Sequence, residues 1–206
     1  SSLDEPERLR YRSNLLGADL RITNFGGGNT SSKVKQKGLV GAREVDVLWT
    51  KGSGGDLGSI KRAGFATLYL DKLHGLEEVY RGVEFEDEMV GYYPLCSFGL
   101  NPVAPSIDTA LHGFLPFNHV DHFYPDWATA LAAAANGRKQ LQEFNRRFNH
   151  NLIWLPWQRP GFETEHNPQA STDELRNKPA NFCAQHALTH EPIDPLDCAR
   201  PSCFLQ

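Results

Sequence analysis

The 206-residue chain has no apolar run approaching the ~20 residues of a membrane-spanning helix, and its start, SSLDEPERLRYR, lacks the apolar core of a secretory signal. These absences predict a soluble, cytoplasmic protein. It also lacks a large excess of charge: 21 Lys and Arg against 25 Asp and Glu leave −4 with histidine neutral. That balance gives no broad electrostatic grip on nucleic acid, though it leaves room for a small cationic pocket that draws a phosphorylated metabolite. Cysteine is scarce. Cys96 is alone and Cys183, Cys198 and Cys203 crowd the end, unlike the regular framework of a small secreted domain, so reduced thiols are expected. Internal repeats and a Walker loop are absent too.

What remains is the composition of an ordinary globular domain, 40% hydrophobic and 22% charged, long enough to bury a core. Leu9, Leu15, Leu16 and Leu20 among charged residues predict an amphipathic helix from Asp4 to about Asp19. TNFGGGNTSSKVKQK reads as a turn entering a strand, and VDVLWT as a strand that stops at the turn KGSGGDLGSI. FATLYLDKL, Phe65 to Leu73, alternates like another strand, with a helix beginning between Gly75 and Tyr80. Ser106 can cap a helix running to about Phe117, with Asp108 in its first turn. DWATALAAAANG predicts an alanine-rich helix closed by Asn136 and Gly137, followed by a helix over Gln140 to Phe148 and a strand in LIWLPW. Without regular alternation, these elements favour an α/β sandwich over a doubly wound nucleotide fold. After Glu163 the chain turns proline-rich and polar with no sustained period, which predicts a folded domain over 1–163 and a weakly ordered tail over 164–206.

Candidate chemistry collects in three places. GGGNTS and KGSGG present backbone N–H groups and hydroxyls with little side-chain bulk, able to cradle a phosphate, with Lys33 and Lys51 to add charge; taken alone, each turn is more simply read as chain reversal. The stretch SIDTALHGFLPFNHVDHFYPD carries His112, His119 and His122 with Asp108, Asp121 and Asp126. Histidines sharing a strand face stand two apart, but the residue two after His122 is Tyr124, and His119 lies on the other face unless the chain bends. Asp108 at a helix start can be held toward a cleft as an acid/base, or it can merely satisfy the helix amides. CAQHALTH, with Cys183, His186 and His190, has a superficial zinc spacing in unpatterned surroundings.

FGGGNTSSK, VLWTKGSGGDLGSI, APSIDTALHGFLPFNHVDH and WLPWQRPGFE, in this order, resemble the class II aldolase/adducin family, nearest to the aldolase half of bifunctional rhamnulose-1-phosphate aldolase/short-chain dehydrogenase proteins. The resemblance covers about Tyr11 to Glu163. It implies a three-layer α/β/α sandwich around a mainly antiparallel sheet, incomplete at the C-terminus, and a homo-oligomer, commonly a tetramer. It also implies retro-aldol cleavage of a ketose 1-phosphate, here L-rhamnulose 1-phosphate, to dihydroxyacetone phosphate and L-lactaldehyde with a divalent metal, zinc foremost. Carried over residue by residue, the phosphate cradle falls on Gly28, Asn29, Thr30, Ser53, Gly54 and Ser106, the acid/base on Asp108, and the metal on His122, with His119 as a further candidate. Three departures stand out. Tyr124 replaces the second imidazole of the family's H-x-H, the Gly-Gly-His-Gly segment that carries a third ligand is missing beyond WQRPGFE, and so is the dehydrogenase half. The resemblance therefore implies a truncated or altered chain with impaired catalysis, and a non-catalytic, adducin-like interaction domain is the alternative.

Overall fold

The computed structural model describes residues 3–23, 26–41, 43–155, 161–162, 182–184 and 204–205. It opens with α1 (Glu5–Gly17), whose first turn is closed by the Asp4 carboxylate accepting from Glu7 N at 2.9 Å. β1 (Asn29–Lys37) leaves the glycine turn and pairs antiparallel with β2 (Glu44–Lys51), which pairs antiparallel with β3 (Phe65–Tyr69). β4 (His119–Phe123) returns along the free edge of β1, and the two-residue β7 (Phe204–Leu205) adds to β4, giving the order β3-β2-β1-β4-β7. A separate parallel pair joins β5 (Ile153–Leu155) to β6 (Phe182–Ala184).

Helices cover both faces of the sheet. On one, Leu9 of α1 packs with Ile60, Phe65 and Trp49. On the other, α2 (Leu70–Gly75), α3 (Glu86–Tyr92) and α4 (Thr109–Phe114) build the principal core, where Leu73, Met89 and Ala110 meet Leu48, Ala66 and Leu68 of the sheet. Phe162 is fully buried in this cluster, its amide held by Glu86 Oε1. α5 (Asp126–Ala133) and α6 (Gly137–Phe148) follow β4 as a packed pair. The architecture is an α/β fold with an antiparallel sheet between helices, as the sequence led us to expect.

Two elements differ from the sequence reading. The strand proposed over Phe65 to Leu73 ends at Tyr69, because Leu70, Leu73 and Leu76 recur every three residues and turn helically into the core. Asn136 and Gly137 do not close the alanine-rich helix; it ends at Ala133, and Gly137 starts α6. A Cβ at Gly137 would sit 2.0 Å from the Leu131 carbonyl oxygen, so a glycine is what lets the two helices meet. Apart from the backbones of β6 and β7, the proposed tail over 164–206 lies outside the described residues.

Candidate functional site

Strand alternation assigns the polar residues to opposite sides of the sheet. Asn29 and Ser31 of β1 share a face with their register partners His122 and Val120 on β4, and that face is covered by α4. Two contacts fix the helix there. His112 Nδ1 shares a hydrogen bond with Ser31 Oγ at 2.7 Å, and His122 Nδ1 lies 3.7 Å from Asp108 Oδ2. Four residues of helix rise about 6 Å and two of strand about 6.6 Å, so the Asp108–His112 step matches the Asn29–Ser31 step and α4 runs alongside β1.

The two glycine turns are drawn to the same end of the sheet. Asn29 Oδ1 accepts from Thr50 Oγ1 and from Lys51 N, both at 3.1 Å, which ties the first turn to the second. Gly52 forms a bridge with Pro105, and Ser53 N donates to Ala104 O at 2.9 Å, which brings KGSGG against the segment leading into α4. Lys51 braces that turn, its ammonium donating to Gly55 O at 2.6 Å and Gly52 O at 3.4 Å. Gly54, at φ +73, has no atom within 4 Å of where a Cβ would stand, so the loop is open there. Gly28, at φ +77, is crowded instead: a Cβ would come within 3.0 Å of His122 O.

Asp108 occupies the N-cap position of α4 without bonding the helix amides. Its Oδ2 accepts from Ser106 Oγ at 3.1 Å, and the same hydroxyl accepts from Asp108 N at 3.3 Å. The carboxyl is thereby turned toward His122 rather than along the helix. Both ring nitrogens of His122, Nε2 of His112 and Nδ2 of Asn29 are buried without a hydrogen-bond partner among the described residues. Burial lowers the pKa of His122, against the pull of Asp108, and pushes that of His112 well below the usual imidazole value. Both rings are therefore neutral near pH 7, with lone pairs available. Burial also lowers the Lys51 pKa, opposed by Asp108 and Asp56.

The structure thus brings Gly28, Asn29, Ser53, Gly54, Ser106, Asp108 and His122 to one region and separates two other candidates from it. His119 lies on the opposite face, half exposed, with Nδ1 3.2 Å from Arg12 Nη1, 3.1 Å from Ser32 Oγ and 3.5 Å from Glu5 Oε1. There it helps join α1 to the sheet, beside Asp121, whose Oδ1 accepts from Arg12 Nε at 3.1 Å. Thr30 also turns its hydroxyl to that side, onto Ser13 Oγ at 2.7 Å. The sequence reading named His112 without giving it a role; its position four residues after Asp108, one helical turn on, is the signal that marks it.

The profile of the class II aldolase and adducin N-terminal domain matches residues 8–190. The chain belongs to the class II aldolase and adducin family. A Bacillus subtilis protein, the uncharacterized oxidoreductase YuxG, is 42% identical over 156 residues, which span 76% of this chain but only 22% of that protein. Among solved structures, the N-terminal class II aldolase domain of a conserved Thermoplasma acidophilum protein superposes with a TM-score of 0.71 at 27% identity, covering 83% of this chain and 77% of that one. YgbL from Klebsiella pneumoniae shares the fold at a TM-score of 0.51 and 13% identity, covering 87% of this chain and 75% of its own.

Class II aldolases generally depend on a divalent metal, and the donors here fit zinc only in part. Asp108 and His122 converge, but among the described residues no three His, Cys, Asp or Glu side chains are placed to close around an ion. The ring next to His122, 4.9 Å between centroids, is the phenol of Tyr124. A phenol with a pKa near ~10 is a poor zinc ligand at neutral pH.

Proposed function

We propose that this chain is an aldolase-family lyase domain that handles a ketose 1-phosphate, L-rhamnulose 1-phosphate foremost, with diminished retro-aldol activity. The observation that carries the reading is the convergence of both glycine turns on the Asp108–His122 pair. A phosphate held by the backbone amides of an open turn would set the sugar carbons beside a carboxyl that is not committed to capping its helix. In this reading Gly28, Asn29, Thr30, Ser53, Gly54 and Ser106 frame the phosphate, with Thr30 contributing through its backbone. Asp108 moves the proton, and His122 is a ligand for the divalent ion that polarises the substrate oxygens when bound. Cytoplasmic location and a homo-oligomer, a tetramer by family likeness, belong to the same proposal.

The test is Asp108→Asn in a background where the second and third family histidines have been rebuilt. Loss of proton transfer should lower turnover of rhamnulose 1-phosphate by ~10²–10⁴-fold with the fold intact. An unchanged rate would end the assignment and move attention to another carboxyl. One observation favours the second reading, an adducin-like interaction domain: Tyr124 stands where the family places an imidazole. A chain of that kind should show no cleavage even when saturated with metal.

A further inference from the structure

We propose that two surfaces of this chain, the exposed side of α6 and the acidic stretch from Glu77 to Glu88, bind each other between copies, so that the protein assembles head to tail. The proposal rests on the homo-oligomer part of the aldolase reading and names the faces that meet; it uses nothing of the catalytic site. The chain as a whole is nearly balanced in charge, but these two stretches are not. α6 carries Arg138, Lys139, Arg146 and Arg147 against Glu143 alone, all of them exposed. From Glu77 to Glu88 the exposed acids are Glu77, Glu78, Glu84, Asp87 and Glu88, against Arg81. A second copy of the chain therefore carries the charge that each patch calls for.

Each stretch also exposes apolar side chains. On α6, Leu141 turns into the fold, while Phe144 and Phe148, three and seven residues on along the same side, are 37% and 52% exposed, so their own chain covers the apolar stripe only in part. Phe144 is held by its neighbours, with the Phe148 ring at 4.9 Å and His150 stacked at 5.3 Å, and Arg147 lies 5.2 Å from the Phe148 ring centre. Rings ordered in this way lose little freedom when a partner covers them, and aromatic and Arg side chains are the usual anchors of an interface. On the acidic stretch Val79, Val83 and Phe85 are exposed. Arg81 is turned back on its own chain, donating to both Glu88 oxygens at 2.6 Å and lying 3.8 Å from the Phe85 ring centre. Because the two faces differ, the contact is heterologous: each copy offers α6 to one neighbour and the acidic stretch to another, which gives a ring where the rotation closes.

The experiment is sedimentation velocity of the intact chain over a range of concentration and salt. The parent should self-associate, more weakly as salt rises. Arg146→Glu with Arg147→Glu in one variant, and Glu78→Lys with Glu84→Lys in another, set like charges face to face and should each weaken self-association at least ~10-fold. Mixed in equal amounts, the two variants should associate again, because the unaltered α6 of the second meets the unaltered acidic stretch of the first. Circular dichroism confirms each fold, and the single reversals Arg146→Glu and Glu84→Lys are read in place of a pair that unfolds. A monomeric parent overturns the proposal together with the homo-oligomer reading. Association that survives both reversals overturns the proposal and leaves that reading standing, and variants that separate but do not associate on mixing overturn it as well.

Discussion

At position 124 a phenol stands two residues from a buried imidazole, and this exchange of nitrogen for oxygen sets an expectation for zinc. The chain should bind zinc weakly, since structural and catalytic sites use at least three suitable protein ligands and, among the described residues, only His122 and Asp108 converge here. Equilibrium dialysis that finds one tightly held zinc per chain would refute this. Tyr124→His alone should strengthen binding without restoring full affinity. Acidity bears on the same residues. His112 and His122 have folded pKa values below the ordinary 6.5, so the unfolded chain takes up more protons as pH falls through that value. Their contribution to stability is fully present above about 6.5 and is lost as pH drops toward the folded values. Denaturant unfolding at pH 7.5 and 5.5 should show lower stability at the acid point, by a smaller margin in His112→Gln. Strand parity in the sequence already divides His119 from His122. The partnership of His112 with Ser31 was not legible, because it joins residues 81 positions apart and depends on α4 lying along β1.

Among the elements, the close approaches of glycine give a contrasting pair of substitutions. Gly137→Ala drives a methyl group into the Leu131 carbonyl and should destabilise the fold by ~1–3 kcal/mol. Gly91→Ala, inside α3 with nothing within 4 Å of its would-be Cβ, should stabilise it by ~0.4–1 kcal/mol. Thermal melts of the two variants beside the parent would show midpoints moving in opposite directions. α1, β1, β2 and α6 were readable because apolar spacing and glycine turns mark them plainly. The helix beginning at Leu70 and the break at Ala134 were not. A run of leucines fits both periods until the packing partner is known, and a run of alanines carries no period by which to place a helix end.

For the whole molecule, the principal core among the described residues is assembled between Leu48 and Phe162. The proline-rich, polar composition after Glu163 leads us to expect that removal of Thr164 to Gln206 leaves the unfolding midpoint nearly unchanged, and scanning calorimetry of the shortened chain would reveal any larger role for β6 and β7 as lost cooperativity. The order of strands in the sheet has a consequence for a chain emerging from the ribosome. β1, β2 and β3 are neighbours in sequence and can zip together as a meander, but the other edge of β1 waits for β4, with Ser32 and its partner His119 separated by 87 residues. At translation rates of about 5–20 residues per second, the hydrogen-bonding groups of Asn29 to Ser32 remain uncovered for roughly 4–17 s. Such an edge invites pairing with another nascent chain, which makes the polar side chains there, Asn29, Thr30, Ser31 and Ser32, a safeguard during synthesis as well as parts of the finished sheet.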